Sequence, residues 1–159
     1  MKANLTFRDR WLIQCLASGF FSGYLPKAPG TFGTLAAIPP FLLLSAFTSL
    51  WTYTAVVLAF VILACFVAAQ AERVWNEKDC PKIVIDEWAG FLVTMLGVPP
   101  ALVTVAAGFL IFRILDIVKP FPVRILERSI PGGAGVVLDD VAAGVYGCIL
   151  MHLGMLILS

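Results

Sequence analysis

Residues 28 to 71 carry no charge at all, and that single fact narrows what the chain can become. A membrane-crossing helix needs about 20 apolar residues, so this stretch is long enough for two. The polar patch Ser45, Thr48, Ser49, Thr52 and Thr54 predicts the turn between them, with spans over residues 33–47 and 53–71. Trp51 and Tyr53 sit at that turn as interface aromatics. A second uncharged stretch covers residues 88–112 and is interrupted by Pro99-Pro100. The residue before a proline resists helix, which predicts another hairpin of short spans over residues 83–98 and 101–118. A last span is expected over residues 138–158.

Composition agrees. Only 13% of the 159 residues are charged and 60% are hydrophobic, against about 25% charged in a soluble domain. The length suits one domain, residues 1–159. A net charge of +1 gives no sign of a nucleic-acid partner. Cys15, Cys65, Cys80 and Cys148 are scattered without metal spacing and read as small buried hydrophobes. Residues 11–25 follow Arg8 and Arg10 in the manner of a signal peptide. Gln14, Ser18, Gly19, Ser22 and Gly23 break that run, which reads instead as an interfacial or re-entrant amphipathic helix.

The charges fall in residues 2–27, 72–87, 113–128 and 139–140. With five spans, every charged segment lies on one membrane face and every uncharged connection on the other. All 11 Lys and Arg then share that face, and the positive-inside rule makes it cytoplasmic. The expected fold is all-α: a multi-pass membrane bundle of about five spans, an N-terminal amphipathic helix and a short surface helix after Pro122.

That face also carries acids at helix entrances, Asp86-Glu87 before the third span and Asp139-Asp140 before the fifth. Helix capping and the dipole favour an acid there by up to about 1 kcal/mol. They account for one acid per helix. Two adjacent acids on both helices, beside hydrocarbon, call for a balancing charge. A divalent cation held through oxygen ligands supplies it, and Mg²⁺ commonly joins carboxylates to a substrate phosphate. Small residues follow each pair, Ala89-Gly90 and Ala142-Ala143-Gly144, and would let the two helices approach closely. Arg113, Asp116 and Lys119 recur at i, i+3 and i+6 on one helix face. Asp116 reads either as a fifth ligand or as the ion-pair partner of Arg113 or Lys119. Lys119 and Arg124 suit a phosphate; Arg128 reads as a lipid-facing base.

Gly30 and Thr31 lie in a glycine-rich loop that enters the first span. Its backbone N–H groups and hydroxyls suit a phosphate at a helix N-terminus; the bland alternative is a turn capped by Thr31 or Thr34. Gly132, Gly133 and Gly135 read as a flexible connector. His152, the sole histidine, falls near the far end of the last span, so a histidine-dependent phosphatase or Ser–His hydrolase lacks its base. A cation pathway would need ionisable groups through the membrane, and here the acids stay at span ends.

Four stretches together resemble the phosphatidylglycerophosphatase A family. They are Pro29-Gly30-Thr31-Phe32-Gly33-Thr34-Leu35-Ala36-Ala37-Ile38-Pro39, Ile85-Asp86-Glu87-Trp88-Ala89-Gly90, Phe112-Arg113-Ile114-Leu115-Asp116-Ile117-Val118-Lys119-Pro120-Phe121-Pro122, and Gly132-Gly133-Ala134-Gly135-Val136-Val137-Leu138-Asp139-Asp140-Val141-Ala142-Ala143-Gly144. The resemblance implies a Mg²⁺-dependent phosphatase of the bacterial inner membrane that converts phosphatidylglycerophosphate, a phospholipid in the bilayer, to phosphatidylglycerol. Asp86, Glu87, Asp139 and Asp140 are then the expected metal ligands, with Asp116 beside them. Arg113, Lys119, Arg124, Gly30 and Thr31 would bind the substrate phosphate. Attack by water and attack by a carboxylate both fit this set, as does a phosphatidic acid or polyprenyl phosphate substrate.

Overall fold

The computed structural model describes residues 6–121, 123 and 130–158. Among them are six α-helices and no strand. Helix α1, Phe7–Ala17, starts on a capping box: Thr6 Oγ1 accepts from the Asp9 N–H at 3.2 Å and Asp9 Oδ2 accepts from the Thr6 N–H at 2.9 Å. Its Phe7, Trp11, Leu12 and Leu16 are exposed, and it stops at Ala17, short of the helix expected over residues 11–25. Positive φ at Gly19, Phe20 and Phe21 turns the chain there, and a 3₁₀ turn over Ser22–Tyr24 follows.

Helix α2, Pro29–Phe47, begins with proline at its first position, where the missing N–H costs nothing. After a two-residue turn, Ser49 caps α3, Leu50–Trp75, by accepting from the Thr52 N–H at 3.3 Å. Asn76 ends α3 in the left-handed conformation. Helix α4, Ile85–Thr94, is short, α5 covers Leu102–Val118, and α6 covers Gly133–Leu158.

Three helices, α2, α3 and α6, are long and apolar enough to cross a membrane, so the five-span expectation is corrected. The residues expected as a third span fold into α4, whose 10 residues rise only about 15 Å, half of a hydrocarbon core. Eight of those 10 residues are buried, and α4 touches α2, α3, α5 and α6. It is the core of the bundle rather than a lipid-facing span. Beyond its end Gly97, at φ +72°, reverses the chain before Pro99-Pro100. Helix α5, with 17 residues, rises about 25 Å and also falls short.

The parity argument loses its span count, yet the segregation of charge survives. The beginnings of α2, α4 and α6 and the end of α5 meet around one cavity lined, among the described residues, by nine charged side chains. At the opposite end, Ser45, Thr48 and Leu50 face Gly97, Pro99 and Pro100, and His152 lies beside Gly97.

The glycines after residue 131 also need correction. Gly133 is the first residue of α6, five residues before the expected start. A Cβ there would lie 2.1 Å from the Ala69 backbone nitrogen of α3. The run is therefore a close helix–helix contact rather than a loose connector. The expected surface helix after Pro122, with Arg124, Glu127 and Arg128, falls outside the described residues.

Candidate active site

The site exists because α4 and α6 nearly touch. A Cβ on Gly144 would lie 2.4 Å from the Gly90 carbonyl oxygen, and one on Gly90 would lie 2.6 Å from the Asp140 carbonyl oxygen. Only glycine tolerates backbones this close. One turn further on, Gly147 packs against Thr94. The small residues following each acid pair therefore bring the two pairs together, as their spacing leads one to expect.

The pairs are not equivalent. Asp86 and Glu87 occupy the first turn of α4, where unpaired N–H groups and the helix dipole offset negative charge, and Asp86 Oδ1 accepts from the Glu87 N–H at 3.0 Å. Asp139 and Asp140 are the seventh and eighth residues of α6, whose first turn holds no acid. The dipole fades within one turn, so capping cannot account for them. Both are nevertheless buried.

Asp139 and Asp140 then diverge. Asp139 Oδ2 accepts from Lys119 Nζ at 2.5 Å, an ion pair between α6 and the end of α5. Asp140 joins Asp86 and Glu87, and one oxygen from each lies within 4.8 Å of the others. Three carboxylates at that separation repel strongly in a low-dielectric setting, and a cation between them removes the conflict. Glu87 Oε2 is buried without a hydrogen-bond partner. Such an atom forfeits its solvation unless something binds it, and a hard divalent cation suits an all-oxygen set. On these grounds the residues fit a divalent metal.

On α5, Arg113 Nη1 donates to Asp116 Oδ2 at 2.6 Å and lies 3.9 Å from Glu87 Oε1. Asp116 thus pairs with Arg113 while lining the same cavity as the other acids. Arg113 Nε has no partner, so its guanidinium keeps a donor in reserve. Lys119 ends α5 with φ +45°.

Gly30 closes the site from α2. A Cβ there would meet Glu87 Oε1 at 2.2 Å and Arg113 Nη1 at 3.0 Å. Thr31 also lines the cavity. Thr34 does not cap the helix: its hydroxyl donates to the Gly30 carbonyl at 2.9 Å and is buried. The cavity holds about 420 Å³, inside the range of small-ligand pockets. Of the expected site residues, all except Arg124 line it; Arg124 lies outside the described residues.

Sequence reasoning missed Lys27, Asp79 and Cys80, which line the same cavity. Lys27 belongs to the glycine-rich loop and Asp79 to a charged segment, so their position in the pattern was the available signal. Burial pushes the Cys80 thiol up from its ordinary range, which disfavours the reactive thiolate.

The sequence matches the family model "Phosphatidylglycerophosphatase A" over residues 15–155. The chain is 38% identical to phosphatidylglycerophosphatase A of Escherichia coli over 152 residues, 95% of this chain and 87% of that protein. It is 31% identical to phosphatidylglycerophosphatase A of Haemophilus influenzae, over 87% of this chain and 86% of the relative. A Bacteroides thetaiotaomicron protein, provisionally named a phosphatidylinositol-3-phosphatase, is 41% identical over 91% of this chain and 94% of its own length. No solved structure matches the chain.

Proposed function

The chain belongs to the phosphatidylglycerophosphatase A family, a phosphoric monoester hydrolase, and we propose that it removes the terminal phosphate of phosphatidylglycerophosphate to leave phosphatidylglycerol. Water adds to phosphorus, the bond from phosphorus to the terminal glycerol oxygen breaks, and that oxygen departs as an alcohol with a proton. The observation that carries the reading is the convergence of Asp86, Glu87 and Asp140, with ligand oxygens within 4.8 Å of one another, at the mouth of a membrane bundle. A lipid phosphate must keep its acyl chains in hydrocarbon while its headgroup reaches polar groups. A site at the ends of packed apolar helices serves both needs.

Asp86, Glu87 and Asp140 are the residues that would hold Mg²⁺. Bound there, the ion supplies charge neutralisation at the phosphate and a more acidic water. Asp139, expected as a ligand, also binds Lys119: its 2.5 Å bond holds the ammonium at the cavity wall, where it offers a compact positive charge to phosphate oxygens. Arg113, held by Asp116 at 2.6 Å, presents its remaining donors to the same group. Gly30 lets the α2 N-terminus approach, so backbone N–H groups there face the phosphate. The charged end of the bundle is assigned to the cytoplasmic face of the bacterial inner membrane. This rests on the gathering of lysines and arginines at that end.

The test is phosphate release by the purified protein from phosphatidylglycerophosphate, with and without Mg²⁺, beside phosphatidic acid and phosphatidylinositol 3-phosphate. The last is included because of the Bacteroides relative's name. Fastest turnover of phosphatidylglycerophosphate, abolished by chelation and restored by Mg²⁺, is expected. No release from any lipid phosphate would overturn the reading.

A further inference from the structure

Three described basic side chains line the cavity: Lys27, Arg113 and Lys119. Arg113 is committed to Asp116 and Glu87, and Lys119 to Asp139. Lys27 stands apart. Among the described residues it has no ion pair and no hydrogen bond from its side chain, and it lies exposed at the cavity mouth. Its backbone holds φ +78°, a left-handed conformation that a residue with a side chain adopts rarely. Such outliers persist where the surrounding structure enforces them, and they gather at ligand clamps. Two residues further on, α2 begins at Pro29, with Gly30 seated against Glu87 and Arg113.

Lys27 is three residues from Gly30, a separation of at most about 11 Å along an extended chain. The cavity thus runs from a cation-binding end at Asp86, Glu87 and Asp140 to an unpaired ammonium at its rim. One phosphomonoester accounts for the inner end and leaves the rim unused.

We infer that Lys27 forms a second anion subsite, which binds the phosphodiester linking the substrate headgroup to its diacylglycerol. This rests on the lipid-phosphatase reading and extends it to headgroup selection. The preferred substrate carries two phosphates joined through one polyol, with the monoester at the carboxylates and the diester at Lys27. A lipid with a single phosphate, such as phosphatidic acid, has no group for Lys27 to hold. The product keeps the diester and so keeps this contact.

The experiment compares the wild-type full-length protein with Lys27→Met and Lys27→Arg in zwitterionic micelles with saturating Mg²⁺. The KM for phosphatidylglycerophosphate should rise about tenfold in Lys27→Met, the scale of one lost charge-assisted hydrogen bond, with kcat little changed. The KM of phosphatidic acid, or its inhibition constant if it acts only as a competitor, should move less than about twofold. Lys27→Arg should restore most of the affinity, because the subsite needs a positive charge. Inhibition by phosphatidylglycerol should weaken in Lys27→Met while inhibition by inorganic phosphate stays the same. An equal loss for both lipids would mean general attraction to anionic surfaces and would overturn the subsite, as would no loss for either. Lipid binding, read as a shift in melting temperature, separates the two readings. Absent turnover of every lipid sinks the phosphatase reading, whereas equal binding of phosphatidylglycerophosphate by wild type and Lys27→Met sinks the subsite.

Discussion

The two ends of this bundle are built from the same helices, yet they handle polar groups in opposite ways. At the uncharged end, polar side chains close on their own backbone. Thr48 Oγ1 donates to the Leu44 carbonyl at 2.6 Å, Ser49 and Thr52 hydroxyls meet at 3.0 Å, and Thr104 Oγ1 reaches the Ala101 carbonyl at 2.8 Å. At the charged end, Glu87 Oε2 and Arg113 Nε are buried with no partner, and three carboxylates converge. A purely structural end would be expected to satisfy itself, since an unsatisfied buried polar atom costs about 1–3 kcal/mol. Unspent bonding capacity at one end of a self-satisfied bundle marks that end as the one built to bind.

The largest effect should come from removing one converging carboxylate. Asp140→Asn keeps the shape and takes away a ligand charge, so turnover should fall by about two to four orders of magnitude, and half-maximal activity should need more Mg²⁺. Asp139→Asn should fall less and leave the Mg²⁺ requirement unchanged, because its partner is Lys119. Equal shifts in Mg²⁺ requirement for the two variants would erase the distinction drawn between these adjacent residues.

Next in size is the crossing that assembles the site. A methyl on Gly90 would lie 2.4 Å from Phe112 Cε2 and 2.6 Å from the Asp140 carbonyl, and Phe112 is fully buried. Gly90→Ala should lower stability by about 1–3 kcal/mol and activity by more than that loss implies, because Asp140 moves with α6. Thermal unfolding and turnover measured on one preparation check this. Full activity in Gly90→Ala would show that the site tolerates separation of the helices.

Lys119→Met should reduce turnover or substrate affinity about 10- to 100-fold without changing the Mg²⁺ requirement. In a double-mutant cycle with Asp139→Asn the losses should not add, since the two side chains form one unit. Additive losses would mean that Asp139 acts on something other than Lys119.

A smaller effect, read without activity, is stabilisation by the ion itself. Mg²⁺ at about 100 times its dissociation constant should stabilise the folded protein by about 2.7 kcal/mol. Carboxylates ligate when deprotonated, so protons compete as pH falls. The stabilisation should therefore be larger at pH 8 than at pH 5, and much reduced in Asp140→Asn. Equal stabilisation at both pH values would count against carboxylate ligation.

Much of this was legible in the sequence, for identifiable reasons. Charge-free runs report helices in lipid, so α2, α3 and most of α6 stood out. Ala89-Gly90 and Ala142-Ala143-Gly144 report close approach, and that contact is present. Helix length was less legible. Pro99-Pro100 announced a turn, but hydropathy could not show that α4 would stop at Thr94 and be wrapped by its neighbours, because a buried core helix and a short span have the same composition. The N-terminus of α6 was misjudged for a related reason: Gly133 looks like a linker until the α3 backbone is found against it. The different contacts of Asp139 and Asp140 depend on which way each side chain leaves the helix relative to α4 and α5, and adjacency in sequence hides it.

The smallest expected effect tests the other half of the comparison. His152 is the chain's one histidine and the residue most often recruited for proton transfer near neutral pH, so a phosphatase that used it would need the site to be at its end of the bundle. The structure puts it beside Gly97, exposed, with Nδ1 2.9 Å from the Cys148 carbonyl and 3.6 Å from the Cys148 thiol. Those are local contacts one turn back along α6, and no carboxylate from the cavity reaches them. His152→Ala should therefore change turnover by less than about twofold and stability by no more than about 0.5 kcal/mol, as for a surface substitution away from special features. The pH profile of turnover should also be unaltered, because no titrating group of the reaction has been removed. An inactive His152→Ala that still melts at the wild-type temperature would show that the uncharged end takes part in the chemistry. In that event the separation between a self-satisfied end and a binding end could not stand.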